Sequence, residues 1–182
     1  MKSHFGSPTW LVVTWTAGAL LSGPAAVGAV LLFASAGLVV LPEGAARFSG
    51  PLGREADITE VLVTRDQTDG SLGLLRQTIA PGSGPPAHIH RAEDEFFYVV
   101  SGDFKVKLGE RMVKAPARSV MFVPRGTAHA FLNIGTEPGV LLVGVMPGGF
   151  EKIFGERQGV DAETNRALMK AYKMEVVGPP LK

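Results

Sequence analysis

The chain has 182 residues, of which 46% are hydrophobic and only 19% charged, and its formal charge is +1 at pH 7. This apolar content excludes a disordered chain, and the near-neutral balance offers no basic patch for nucleic acid. Cysteine is absent, which excludes disulfides, thiolate metal sites and thiol catalysis, so any bound metal must be held by nitrogen and oxygen.

The apolar surplus is concentrated at the N-terminus. No Lys, Arg, Asp or Glu occurs between Lys2 and Glu43, a charge-free run of 40 residues. Gly23-Pro24 divides its core into Trp10–Ser22 and Ala25–Leu41. Together they are long enough for one kinked membrane-spanning helix, at 1.5 Å per residue across about 30 Å of hydrocarbon. Lys2 and the small-residue site Ala34-Ser35-Ala36 also suit a cleaved export signal. Residues 1–46 are therefore expected to be an apolar helical signal or anchor, with membrane contact through residues 10–41. The protein would then be exported, periplasmic or membrane-anchored. A start codon assigned too far upstream would instead leave a cytoplasmic protein.

From Pro51 onward the chain carries 16 basic and 16 acidic residues. Short β-rich runs follow one another: Glu60–Thr64, Leu72–Ala80, Glu95–Ser101, Phe104–Leu108, Val120–Val123, Ala128–Ile134 and Val140–Met146. Gly-, Pro- and Asp-rich turns separate them, with Ser101-Gly102-Asp103 expected as a hairpin turn. Many short strands without intervening helices predict an all-β sandwich or barrel. One helix is expected near the C-terminus, capped by Asp161, with Glu163 in its first turn and Lys170 and Lys173 near its end. Leu168, Met169 and Tyr172 would form its packed side.

Three of the four histidines carry the chemistry. His88 and His90 are two apart, so on a strand both imidazoles point to one face. Glu95 follows past a turn-like Arg91–Asp94, where an antiparallel return would bring its carboxylate to the same point. His129 lies in another expected strand, whereas His4 has no such context. Three neutral imidazoles and a carboxylate are a suitable donor set for a divalent transition metal.

The segment Gly82-SGPPA-His88-Ile-His90-RAED-Glu95-FFYVVS-Gly102 resembles the first signature of the cupin superfamily, and Pro124-Arg-Gly126-TA-His129-AFL-Asn133 resembles the second. One position departs from the pattern: the glycine expected six residues before Pro124 is Arg118. The resemblance implies a single jelly-roll-like cupin barrel over residues 47–154, followed by a C-terminal extension with a helix over 155–182. It implies that His88, His90, Glu95 and His129 ligate one divalent transition metal (Mn, Fe, Ni, Cu or Zn). Gly82, Gly102, Gly126, Pro124 and Asn133 are read as structural. The tail, including Pro147-Gly-Gly-Phe150 and Tyr172–Leu181, is similar to a recurring subgroup of small bacterial single-domain cupins. Such proteins commonly pair as homodimers.

Three functions fit such a site. The first is a metal-dependent oxidoreductase resembling the quercetin-dioxygenase-like cupins, acting on a small oxygen-bearing substrate, with Glu95 both ligand and catalytic proton acceptor. No other carboxylate or histidine is expected to be placed to serve as base. The second is a non-redox isomerase, epimerase or decarboxylase, for which Arg76, Lys105, Lys107 and Arg125 are candidate contacts to a phosphate. The third is a binding module that senses or sequesters a small molecule.

Overall fold

A computed structural model describes residues 47–49, as backbone, and residues 56–182. The expected signal or anchor over residues 1–46 lies outside the described residues. Among those described, no helix is long and apolar enough to cross a membrane.

Eleven strands are described: β1 Arg47–Ser49, β2 Ile58–Val63, β3 Gly73–Ile79, β4 Pro86–His90, β5 Asp94–Ser101, β6 Asp103–Leu108, β7 Arg111–Pro116, β8 Val120–Val123, β9 His129–Asn133, β10 Gly139–Met146 and β11 Met174–Pro180. A one-turn helix α1 (Ile153–Glu156) and a longer α2 (Ala162–Ala171) lie between β10 and β11. The strands form two antiparallel sheets, β1-β2-β3-β10-β5-β8 and β11-β4-β9-β6-β7, in a jelly-roll-like sandwich. All seven expected strand runs are present.

Alternation along each strand explains why these two layers face each other. In β3, Leu75, Gln77 and Ile79 are buried while Leu74, Arg76 and Thr78 are half-buried. Leu75, Phe97, Val99, Phe104, Val106, Phe131, Leu141 and Val143 belong to one buried cluster contributed by both sheets. Phe150, Ile153 and Phe154 of the segment after β10 join the same cluster. Asp161 caps α2, its carboxylate accepting the Thr164 amide proton at 2.7 Å, and Leu168, Met169 and Tyr172 pack against the core as expected.

Two local expectations are corrected. Ser101-Gly102-Asp103 is not a hairpin turn, because β5 and β6 belong to different sheets. Gly102, at φ +90°, instead passes the chain from one layer to the other, and a Cβ there would lie 2.8 Å from the Gly139 Cα. Arg91–Asp94 likewise joins β4 to β5 across the sandwich, so Glu95 does not return beside the histidine strand. The real two-residue hairpin is Gly109-Glu110, between register partners Leu108 and Arg111.

Candidate metal centre

His88 and His90 lie on β4 and both point inward, 6% and 2% exposed. His129 opens β9 and is the register partner of His88, which brings their rings, tilted at 53°, to a centroid separation of 4.2 Å. Glu95 approaches from the facing sheet, on β5 between β10 and β8. All four side chains are buried, and one donor atom from each lies within 4.8 Å of the others. An ion about 2.0–2.2 Å from its nitrogen and oxygen ligands needs donors roughly 3–4 Å apart, so small adjustments seat it.

Hydrogen bonds prepare the imidazoles. Nδ1 of His88 is 2.8 Å from the Pro86 carbonyl, and Nδ1 of His129 is 3.1 Å from that of Thr127. Each Nδ1–H donates to its carbonyl, which leaves the Nε2 lone pair free, the tautomer a metal requires. His129 Nε2 is 2.8 Å from Glu95 Oε2, and His90 Nε2 is 3.5 Å from the same oxygen. Close as they are, His129 Nε2 and Glu95 Oε2 are off the alignment of a hydrogen bond and have no other partner. Among the described residues, the buried side-chain atoms without a partner are these two, His90 Nδ1, Glu93 Oε2 and Asn165 Oδ1. All but the last belong to this cluster. Buried polar atoms left so are costly unless a ligand completes them, and these fit a divalent cation.

The electrostatics of His88 and Glu95 agree with that donor set. Burial, aided by the neighbouring His129 and His90, lowers His88 to a pKa of about 3, so it is a neutral donor. Burial acts to raise Glu95, but His90, His129 and His88 outweigh it and hold the carboxyl at about 2. His129 is raised, because its contact with the Glu95 carboxylate outweighs its burial.

The cluster opens into a cavity of about 40 Å³, walled by Leu75, Phe97, Phe131, Val143, Phe150 and Phe154. Its polar lining is Gln77, His88, His90, Glu95 and Arg157. The four residues expected as a metal set are thus brought together. Arg76 and Arg125 instead pair with Glu60 and Asp94, Lys105 reaches the Lys182 carbonyl, and none of these or Lys107 lines the cavity. Asn133, fully buried, bonds the Ile79 and Glu137 carbonyls and the Gly135 amide, which makes it structural as expected.

Two residues escape the sequence reading. Glu93 is 8% exposed, with Oε2 3.6 Å from His90 Nδ1, so a second carboxylate does stand at the site, behind His90. Its signal was available, since it lies three residues after His90, but an acidic residue in Arg91–Asp94 reads as a solvated turn. Arg157 reaches the cavity from beyond the two signatures, and no local pattern marks it.

Residues 75–145 match the family model of the cupin domain. A tetracenomycin polyketide synthase protein, TcmJ of Streptomyces glaucescens, is 26% identical over 98 residues, 53% of this chain and 66% of its own length. An uncharacterized protein of Streptomyces coelicolor is 38% identical over 52 residues, 29% of this chain and 50% of its own. The chain thus spans less than two thirds of either relative. Two crystal structures share the fold: one described as a predicted oxalate decarboxylase from Thermotoga maritima (TM-score 0.55, 22% identity, 60% of this chain and 99% of that one), and an RmlC-like cupin from Shewanella frigidimarina (TM-score 0.52, 20% identity, 62% and 92%). With two facing antiparallel sheets and both histidine-bearing segments, the matched residues 75–145 form a cupin domain.

Proposed function

We propose that the protein is a metal-dependent enzyme, an oxidoreductase of the dioxygenase-like kind, acting on a small oxygen-bearing organic substrate. The observation that carries the metal reading is the convergence of four buried donors, two of which, His129 Nε2 and Glu95 Oε2, have no hydrogen-bond partner. His88, His90, Glu95 and His129 would hold one divalent transition metal. When bound, such an ion supplies positive charge that polarises and acidifies a substrate oxygen, and a redox-active one also supplies electrons to dioxygen.

The chain's own residues supply the rest. The carbonyls of Pro86 and Thr127 fix two imidazole rings. The phenyl walls of Phe97, Phe131 and Phe154 exclude water and favour an apolar substrate body. Glu95 is the proposed acceptor of a substrate hydroxyl proton. It is ionised at neutral pH. The relative named as a polyketide synthase protein supports a substrate rich in carbonyl or phenolic oxygens.

The test is oxygen uptake by protein loaded in turn with Mn, Fe, Ni and Cu, against a panel of catechols, short diketones and small hydroxy and keto acids. Metal-dependent uptake with one of them is expected. Turnover of a substrate without oxygen consumption would contradict the redox part and leave isomerase or decarboxylase chemistry. Saturable binding with no turnover would make the protein a binding module.

A further inference from the structure

Arg157 is the one Lys or Arg on the wall of the cavity that contains His88, His90 and Glu95. It sits just past α1, where its backbone amide bonds the Ile153 carbonyl. Its half-buried guanidinium has no ion-pair or hydrogen-bond partner among the described residues. Four arginines of the barrel are engaged, Arg65 with the Gly148 carbonyl, Arg76 with Glu60, Arg91 with Glu175 and Arg125 with Asp94, while Arg111 and Arg118 are exposed to solvent. Glu95, the one acidic residue on the same wall, faces the imidazoles of His90 and His129 instead. Burial accordingly lowers the Arg157 pKa with no neighbouring anion to oppose it. A cation sheltered among apolar walls without a counter-charge is a cost that a ligand of opposite charge removes.

We infer that Arg157 anchors the ligand of this site, and that the ligand is a small organic acid whose carboxylate pairs with the guanidinium while a second oxygen faces His88, His90 and Glu95. The second-oxygen contact rests on the metal reading proposed above; the carboxylate contact with Arg157 does not. A carboxylate matches the planar guanidinium fork with two parallel hydrogen bonds. The cavity, about 40 Å³, is far below the roughly 300–1,000 Å³ that holds larger ligands, which favours a compact acid over a phosphorylated sugar. Charge points the same way. With a divalent cation and one carboxylate ligand, an added arginine leaves the site net positive, so a neutral ligand would leave it unbalanced. Arg157 also lies outside the matched cupin domain, so this anchor is carried by the chain's own C-terminal extension.

Calorimetric titration of wild type and Arg157→Gln with lactate, lactamide and inorganic phosphate, each on metal-loaded and metal-free protein, tests this. Wild type is expected to prefer lactate to its neutral amide. In Arg157→Gln that preference falls roughly tenfold to a hundredfold in both metal states, the range of a charge-assisted hydrogen bond. The thermal midpoint should stay within about 2 °C, as expected for a residue with no partner to lose. Arg157→Met is the second variant if the Gln protein is less stable than that. An unchanged preference in the variants, or none in wild type, overturns the inference. A loss of phosphate affinity larger than the loss for lactate overturns the carboxylate class. Failure of the metal reading is seen separately, as a protein that takes up no metal while its Arg157-dependent preference persists.

Discussion

Glu93 Oε2 lies 3.6 Å from Nδ1 of His90, and neither atom has a hydrogen-bond partner. That distance is too long for a bond, and a contraction of about half an ångström would make one. Of the three imidazoles, His90 is the one whose Nδ1 meets a carboxylate instead of a backbone carbonyl. A carboxylate behind a ligating histidine fixes its ring and raises its basicity. Replacing Glu93 with Gln is expected to weaken metal affinity about tenfold to a hundredfold, read as a dissociation constant by competition with a chelator. Unchanged affinity would show that Glu93 does not orient His90.

Arg118 stands where the second signature's glycine is expected, and it adopts φ +74°. The turn between β7 and β8 is kept, with the Arg118 amide bonding the Val99 carbonyl at 2.7 Å and Ser119 the Pro116 carbonyl at 3.1 Å. A non-glycine residue in this region is strained, and this side chain is exposed, so nothing is lost by removing it. Arg118→Gly should stabilise the fold by about 0.5–1 kcal/mol in chemical denaturation. Destabilisation would mean that the arginine makes a contact the turn needs.

Asn133 connects three segments: its Nδ2 donates to the Ile79 and Glu137 carbonyls and its Oδ1 accepts from Gly135. Asn133→Ala strands these groups in the interior and should cost about 2–4 kcal/mol of stability. Metal content per folded chain should not change, because no ligand is among its partners. A metal-depleted but stable variant would move Asn133 from the frame to the site.

Asp161 holds the first turn of α2 through the Thr164 amide, and that bond keeps its carboxyl below its ordinary value of 3.8. Because the folded pKa is depressed, the stabilisation is complete above the ordinary carboxylate range and is lost as pH falls through the lowered value. Asp161→Asn can still cap the helix but cannot titrate. It should flatten the acid limb of the stability profile relative to wild type, and Asp161→Ala should lower stability at neutral pH. An identical acid limb in wild type and Asp161→Asn would contradict the capping role.

Much of this fold is legible because its inner and outer residues alternate, as in β3, where Leu75, Gln77 and Ile79 face in. The strands that escape reading lack that pattern. β7 is an edge strand with Ala115 alone buried, and β11 carries Gly178, Pro179 and Pro180 along the edge beside β4. Prolines are tolerated at a sheet edge, where no neighbour needs their missing amide, yet from sequence they read as loop. The metal set is legible because His88 and His90 share a strand face and His129 sits in a second signature. How Glu95 reaches them is not, since sequence separation suggests a returning hairpin while the chain crosses to the other sheet. Arg157 is hidden for a similar reason: only the packing of Phe150, Ile153 and Phe154 into the core brings its segment to the cavity.

The most direct measurement is the metal content of the protein purified from its native host without added metal. One divalent transition ion per chain is expected, falling sharply in His90→Ala while the fold persists. Wild-type protein that carries no ion and takes up none on dialysis against Mn, Fe, Ni, Cu or Zn would contradict the account.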